Sequence, residues 1–388
     1  MTVDDDVARE CPVCHTRLLA AFCGNCGADP VAATGFWDVL LRPRVFATAP
    51  REPVLMPRMT STLFPRLPQS ARQPFRLALV LLFVAMVVLS VLRANAPLGA
   101  IAVLGGPVLF LLYMWQSDAF TDISRRALVV ALVTGAGLAV LWWLFTGRLL
   151  SGAYGVSTAA GLALQNLLAG FGLAVTIGGA AIMLVPPLVV RLLGIPVREP
   201  LDGFVIGGLG AMAYVSGATI TWMFPQIVAG LLESQSAWRM FGDAIIYGVI
   251  EPLIALPLGA LFGLLMWFRP AGAHARRALT AVAICAAVTA LAYAAVWTVD
   301  ALALPRVAEI VINLGFAVMS LLAVRCALQI ALLHGGSDSV ADDPVLCVHC
   351  ETVVPDMAFC VACGAAARAS SRSSRQERRA FAPVPEVS

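Results

Sequence analysis

Long apolar runs separated by short polar gaps fill most of this 388-residue chain. The runs lie near 75–92, 97–116, 127–146, 158–193, 203–230, 243–268, 277–299 and 306–333. A helix needs about 20 apolar residues to cross the hydrocarbon core of a bilayer. The pattern therefore predicts an all-α polytopic membrane protein with about eight transmembrane helices. The fourth run is longer than a crossing needs, and Pro186 and Pro187 inside "VPPLVV" should break or kink it. The short connections around Asn95 and Asp300 read as tight hairpins.

Composition agrees. The chain is 60% hydrophobic and 13% charged. Its net charge is only +3, and every basic residue is arginine. So small a charge argues against a nucleic-acid partner. No secretory signal is expected, because an acidic stretch, "VDDDVARE", leads the chain and the first apolar run starts only near Phe75.

The arginines are unevenly spread. Arg42, Arg44, Arg51, Arg58, Arg66, Arg72 and Arg76 precede the first run. Alternate loops carry Arg125 and Arg126, Arg191 and Arg198, and Arg269, Arg276 and Arg277. The opposite loops carry only Arg93, Arg148, Arg239 and Arg306. The positive-inside rule then predicts an inner (plasma) membrane protein with both termini in the cytoplasm.

Ten cysteines divide into two groups. Eight form CxxC pairs: Cys11 and Cys14, Cys23 and Cys26, Cys347 and Cys350, Cys360 and Cys363. A CxxC turn offers two thiolates to one metal, and two turns complete a tetrahedral four-thiolate zinc site. The short gaps between pairs suit a small zinc ribbon at each terminus, with two Zn2+ ions in all. Modules this small cannot bury a sufficient core, so the metal must supply much of their folding energy. A disulfide framework is the competing reading and would need an oxidising compartment. A redox CxxC normally sits in a thioredoxin-like unit, which is absent here. His15 and His349 lie beside these ligands, but two full sets of four cysteines make them unnecessary. Phe22 and Phe359 each precede a third cysteine and are expected to cover the metal sites. Cys285 and Cys326 sit alone in apolar runs and read as small buried hydrophobes.

These signals divide the chain. Residues 1–28 are one ribbon and 346–367 the other. Residues 29–74 form a Pro/Arg-rich linker, in which "GFWDVLLRPRVF" could lie as an amphipathic helix on the membrane. The bundle occupies 75–334, a linker 335–345, and a Ser/Arg-rich disordered tail 368–388. Because both ribbons face one compartment, they could pair side by side.

Ionisable groups at bilayer depth are costly and often functional. Asp243, Tyr247 and Glu251 follow one another at a spacing of four, which places them on one helical face. They are the candidate polar site of the membrane region, with Glu251 at its centre. There is no HExxH pattern and no mid-membrane histidine to serve a serine as base. Gly203 and Gly207, and Gly259 and Gly263, form small-xxx-small faces for close helix packing.

"VPPLVVRLLGIPVREPLDGFVIGGLGAMAYVSGATI" and "YGVIEPLIALPLGALFG" resemble the core of the PrsW-type intramembrane proteases. The resemblance rests on Pro186, Asp202, Gly203, Phe204, Gly207, Gly208, Gly210, Gly259 and Gly263. It implies a protease-like helix bundle. The family's active residues are missing: Val189 and Val190 replace its glutamate pair. Val215 or Ser216 stands at a second glutamate, and Glu251 stands about where a histidine is expected. Valines can neither activate water nor bind metal, so proteolysis is not carried over. The leading expectation is a non-catalytic membrane scaffold or sensor whose ribbons recruit a cytosolic protein. The alternatives are a small-molecule or lipid transporter using Glu251, and a still-active hydrolase using other groups.

Overall fold

A computed structural model describes residues 10–12, 14–27, 72–116, 119–157, 169–228, 237–270, 275–302, 304–335, 344–347, 350–367 and 372–380. The helices of the bundle are α1 (Arg72–Val91), α2 (Asn95–Gln116), α3 (Ala119–Asp122), α4 (Arg125–Tyr154), α5 (Ala169–Met183), α6 (Val185–Leu192), α7 (Pro200–Val228), α8 (Ala237–Ile245), α9 (Glu251–Trp267), α10 (Ala275–Ala301) and α11 (Arg306–His334). A π-helical turn, Ile246–Ile250, joins α8 to α9. A small hairpin, β1 (Pro344–Leu346) and β2 (Val353–Pro355), and the helix α12 (Arg372–Ala380) follow. The proposed surface helix in the 29–74 linker lies outside the described residues.

Among the described residues, seven segments are long and apolar enough to cross a membrane: Asn95–Trp115, Arg125–Tyr154, Ala174–Leu192, Pro200–Pro225, Trp238–Trp267, Ala275–Asp300 and Arg306–His334. The chain is an integral membrane protein of helical-bundle type. The first predicted span is also helical, but its apolar portion, Arg76–Val91, is shorter. Leu79, Val80, Leu81 and Phe83 along it are exposed, as are Leu141, Phe145, Leu291 and Val311 elsewhere. Such side chains match a lipid surround rather than water. Inside the bilayer the helix is favoured because each backbone N–H and C=O is satisfied within the segment.

The fourth run does break at its prolines. α5 ends at Met183 and α6 restarts at Val185, with Pro186 and Pro187 in its first turn. There the missing N–H groups cost nothing, because the first turn has no intrahelical acceptors for them. The tight connections also appear: Leu92–Ala94 links α1 to α2, and 302–305 links α10 to α11.

The centre of the bundle is the α7–α9 pair. Gly207 faces Gly259, and Gly203 faces Gly263, so closely that a Cβ on either glycine of α7 would meet the carbonyl oxygen opposite. Small residues let the backbones approach where no hydrophobic effect drives helices together. α4 lays a stripe of small residues on the other side of α7: Ala127, Ala131, Gly135 and Ala139, all buried. Thr134, Thr219 and Thr221 return their hydroxyls to carbonyls four residues back, which satisfies them in an apolar interior.

The sequence places 368–388 in a disordered tail, but part of it is helical. α12 carries no apolar stripe and owes its form to docking. Its first N–H groups, on Arg372 and Ser373, donate to the Asp122 carboxylate at 2.5 and 3.0 Å. A carboxylate at a helix N-terminus satisfies orphan donors and complements the helix dipole. Arg375 pairs with Glu199, and Arg379 pairs with Asp356 at 2.5 Å. Composition signals disorder only for a segment standing alone, and α12 does not.

Candidate metal centres and the buried polar cluster

Each ribbon is built from two knuckles with the same backbone logic. The N–H of Cys11 donates to Thr16 O, and His15 N–H returns to Cys11 O, both at 2.9 Å. In the C-terminal module, Cys347 N–H donates to Thr352 O and Glu351 N–H to Cys347 O, at 2.9 and 3.0 Å. The residue after the second cysteine is left-handed in both: His15 at φ 57° and Glu351 at φ 56°. The second knuckles end the same way, with Gly27 at φ 68° and Gly364 at φ 75°. His15 therefore serves the turn and is not part of the thiol set.

The eight predicted ligands come together as two sets of four. The sulfur atoms of Cys11, Cys14, Cys23 and Cys26 all lie within 4.8 Å of one another, as do those of Cys347, Cys350, Cys360 and Cys363. Cys11–Cys26 and Cys14–Cys23 are 3.5 Å apart, and Cys347–Cys363 and Cys350–Cys360 are 3.8 Å apart. Four sulfurs bound about 2.3 Å from a central ion sit about 3.8 Å from one another. The spacing fits a metal ion in each cluster. None of the ten cysteines forms a disulfide, so the disulfide reading has no support in the structure. Contact with Cys347 pushes the Cys360 thiol up to about 11, and the Cys363 thiol is raised by the same neighbour. In the other cluster the Cys26 contact holds Cys23 down to about 4, helped by Thr16.

The two modules touch through exchanged aromatic rings. Phe22 N–H donates to Val361 O at 3.0 Å, and Phe359 N–H to Gly24 O at 2.9 Å. A Cβ at Gly364 would lie 2.7 Å from the Phe22 ring, and one at Gly27 would lie 2.6 Å from the Phe359 ring. Both glycines are thus required twice, by φ and by the ring packed on them. Each phenylalanine precedes a cysteine of its own cluster and covers the knuckle glycine of the other. Sequence reasoning named both rings but could not see the exchange.

The paired modules rest on the bundle. Phe22, Phe359 and Ala366 belong to one buried cluster with Phe110, Tyr113, Ile123, Leu201 and Phe204. The ion pairs of α12 reach Asp122 and Glu199 on the same end. This is the end that bears Arg125, Arg126, Arg191 and Arg198.

The three candidate membrane residues take three different partners. Asp243 accepts from Arg306 Nη2 at 2.5 Å, and Arg306 Nη1 donates to Glu309 at 2.7 Å. Tyr247 packs against Trp222 with ring centroids 5.2 Å apart. Glu251 is 7% exposed, and the Tyr293 hydroxyl lies 3.5 Å from its Oε1. The π turn accounts for this divergence. Pro252 lacks an N–H, and the Glu251 N–H reaches Ile246 O, five residues back. One extra residue in the turn rotates α9 relative to α8, so the spacing of four no longer lines up one face. Tyr247 still lies within electrostatic reach of Asp243, Glu251, Asp300 and Glu309. Arg306, Tyr293 and Asp300 were not singled out as partners, because hydropathy does not encode which helices are neighbours.

A cavity of about 500 Å³ opens between α1, α2, α7, α9 and α11. Leu82, Met86, Phe110, Met212, Leu256 and Val324 are among its walls, with Gly106 and Gly248 also lining it. Glu251 is not among its lining residues. The positions where the protease resemblance expects active groups are apolar or engaged. Val190 and Val215 are buried, and the Ser216 hydroxyl donates to Val103 O at 3.3 Å. No protein-family model, no curated protein and no solved structure matches this chain.

Proposed function

We propose that this chain is a non-catalytic membrane scaffold or sensor. Its bundle holds a hydrophobic ligand such as a lipid acyl chain. A zinc-bearing head on the cytoplasmic side presents a surface to a soluble protein. One observation carries the reading: Phe110 and Tyr113 line the 500 Å³ cavity and also belong to the buried cluster that contains Phe22 and Phe359. Occupancy of the cavity and the posture of the head therefore share packed side chains. The volume falls in the range of about 300–1,000 Å³ typical of ligand pockets. Zinc is favoured for the head because four thiolates in a tetrahedron match its preference.

A cytoplasmic head in the inner membrane is supported by two independent features. Arginine bias marks its end of the bundle as the inner one. Eight cysteines without a disulfide also suit a reducing compartment. A PrsW-like ancestry fits the glycine-built α7–α9 crossing and explains a bundle without the family's glutamates. The test is native mass spectrometry of the purified protein with and without Gly106→Leu, which fills the cavity. The proposal expects a bound acyl lipid that the variant loses. Equal lipid binding by both proteins would overturn it.

A second reading, a transporter coupled through Glu251, is favoured by the burial of that carboxylate inside the bundle. It predicts pH-dependent flux in proteoliposomes that Glu251→Gln abolishes. Flux that is absent, or unchanged in the variant, removes it.

A further inference from the structure

The two four-cysteine clusters lie at opposite ends of the sequence, and each could have been a self-contained knob. We infer that they form a single cooperative two-metal module, in which each site is closed by the phenylalanine of the other. Occupancy of one site thereby sets the metal affinity of its partner.

The N-terminal module is described over residues 10–12 and 14–27, and among these it has one isolated bridge, Glu10 with Arg17, and no strand. Its buried side chains are Cys11, Phe22, Cys23 and Cys26. Apart from the ligands, its buried apolar content is therefore Phe22, and that ring packs on Gly364, next to Cys363 of the other cluster. Such a module has almost no core of its own, so its folding energy comes from the metal and from the second module.

The reciprocal contact is equally specific. Phe359 is 4% exposed, and its ring packs on Gly27, next to Cys26. The paired backbone hydrogen bonds, Phe22 to Val361 and Phe359 to Gly24, fix both rings in register. Val361 lies between Cys360 and Cys363, and Gly24 between Cys23 and Cys26. The second knuckle of each site is thus hydrogen-bonded to the second knuckle of the other. If one cluster loses its ion, its CxxC turn loosens. The neighbouring ring and carbonyl move with it, and water gains access to the remaining sulfurs. Coupling follows without any shared ligand. The inference rests on the head holding metal, as proposed above, but not on the cavity or on any partner.

The test uses the full-length protein in nanodiscs loaded with Zn2+. Bound zinc is counted, and alkylation of each cysteine under a chelator is mapped by mass spectrometry. The first variant, Cys11→Ser with Cys14→Ser, removes the N-terminal site. The ion at Cys347, Cys350, Cys360 and Cys363 should then leave about tenfold faster or more, as coupling between contacting groups allows. The second variant, Phe22→Leu, keeps all eight ligands and should speed alkylation of Cys360 and Cys363 as well as of Cys23 and Cys26. Phe359→Leu should do the reverse, exposing Cys23 and Cys26 along with its own cluster. Unchanged release and alkylation at the distant cluster in all three variants would overturn the cooperative module while leaving two independent zinc sites. A wild-type protein that binds no zinc would overturn the metal reading as well.

Discussion

Replacing Gly207 by alanine puts a methyl group where α7 and α9 have no room for one. The added Cβ would lie 2.8 Å from the Gly259 carbonyl carbon and 3.2 Å from Gly263 Cα. The Gly259 carbonyl oxygen is closer still, and ordinary contact begins at 3.4 Å, so even the carbonyl carbon is too close by about 0.6 Å. The opposing atoms are backbone, and no side chain can swing aside. The helices must separate, which loosens contacts along the most extensively packed pair in the bundle. Overpacking of this kind costs about 1–3 kcal/mol. Alanine also gains about 0.5–1 kcal/mol over glycine in a helix, with the opposite sign. Gly137→Ala isolates that gain, since nothing lies within 4 Å of a Cβ built there. The two variants should therefore differ by the overpacking cost alone. Thermal unfolding in detergent, followed by tryptophan fluorescence, reads the difference. At about 2–4 °C per kcal/mol for a domain of 150–250 residues, Gly207→Ala should melt several degrees below Gly137→Ala. Equal melting temperatures would refute the close crossing.

Other outcomes follow from the same geometry. Arg375→Glu reverses the ion pair with Glu199 and should free α12, making its arginines more sensitive to trypsin than in the wild type; unchanged cleavage would mean that α12 is not docked. Chelation of the wild type should give the same sensitivity, because Asp356 and the rest of the C-terminal module hold α12 from the other side. Arg306→Gln leaves Asp243 and Glu309 facing each other without their shared cation. Arg306 and Asp243 are 23% and 22% exposed, so the loss of stability should fall below the ~3–5 kcal/mol of a fully buried pair, at about 1–3 kcal/mol. A melting temperature equal to wild type would show that the cluster is solvated. Gly27→Ala should weaken zinc retention through both the φ of 68° and the Phe359 ring, whereas Gly152→Ala, with open space around it, should not.

The fold was legible wherever a local rule governs it. Apolar length alone marked the helices, because a bilayer forces every spanning segment to satisfy its own backbone. Proline position marked the break before Val185. The spacing of eight cysteines marked both thiol clusters. What escaped depends on neighbours distant in sequence. α12 looks disordered by composition, and its order comes from Asp122, Glu199 and Asp356. Asp243 and Glu251 share a face on an ideal helix, but the π turn ahead of Pro252 sends them to Arg306 and Tyr293. The cavity is invisible in hydropathy because its walls are as apolar as the lipid-facing surfaces. The exchange of Phe22 and Phe359 leaves one trace in the sequence: a glycine directly after the last cysteine of each set.

Native mass spectrometry of the full-length chain, released gently from nanodiscs, counts metal and lipid together. Two zinc ions per chain are expected, one for each thiol cluster, with an acyl lipid retained in the bundle. A folded chain that carries neither metal nor lipid would contradict this expectation.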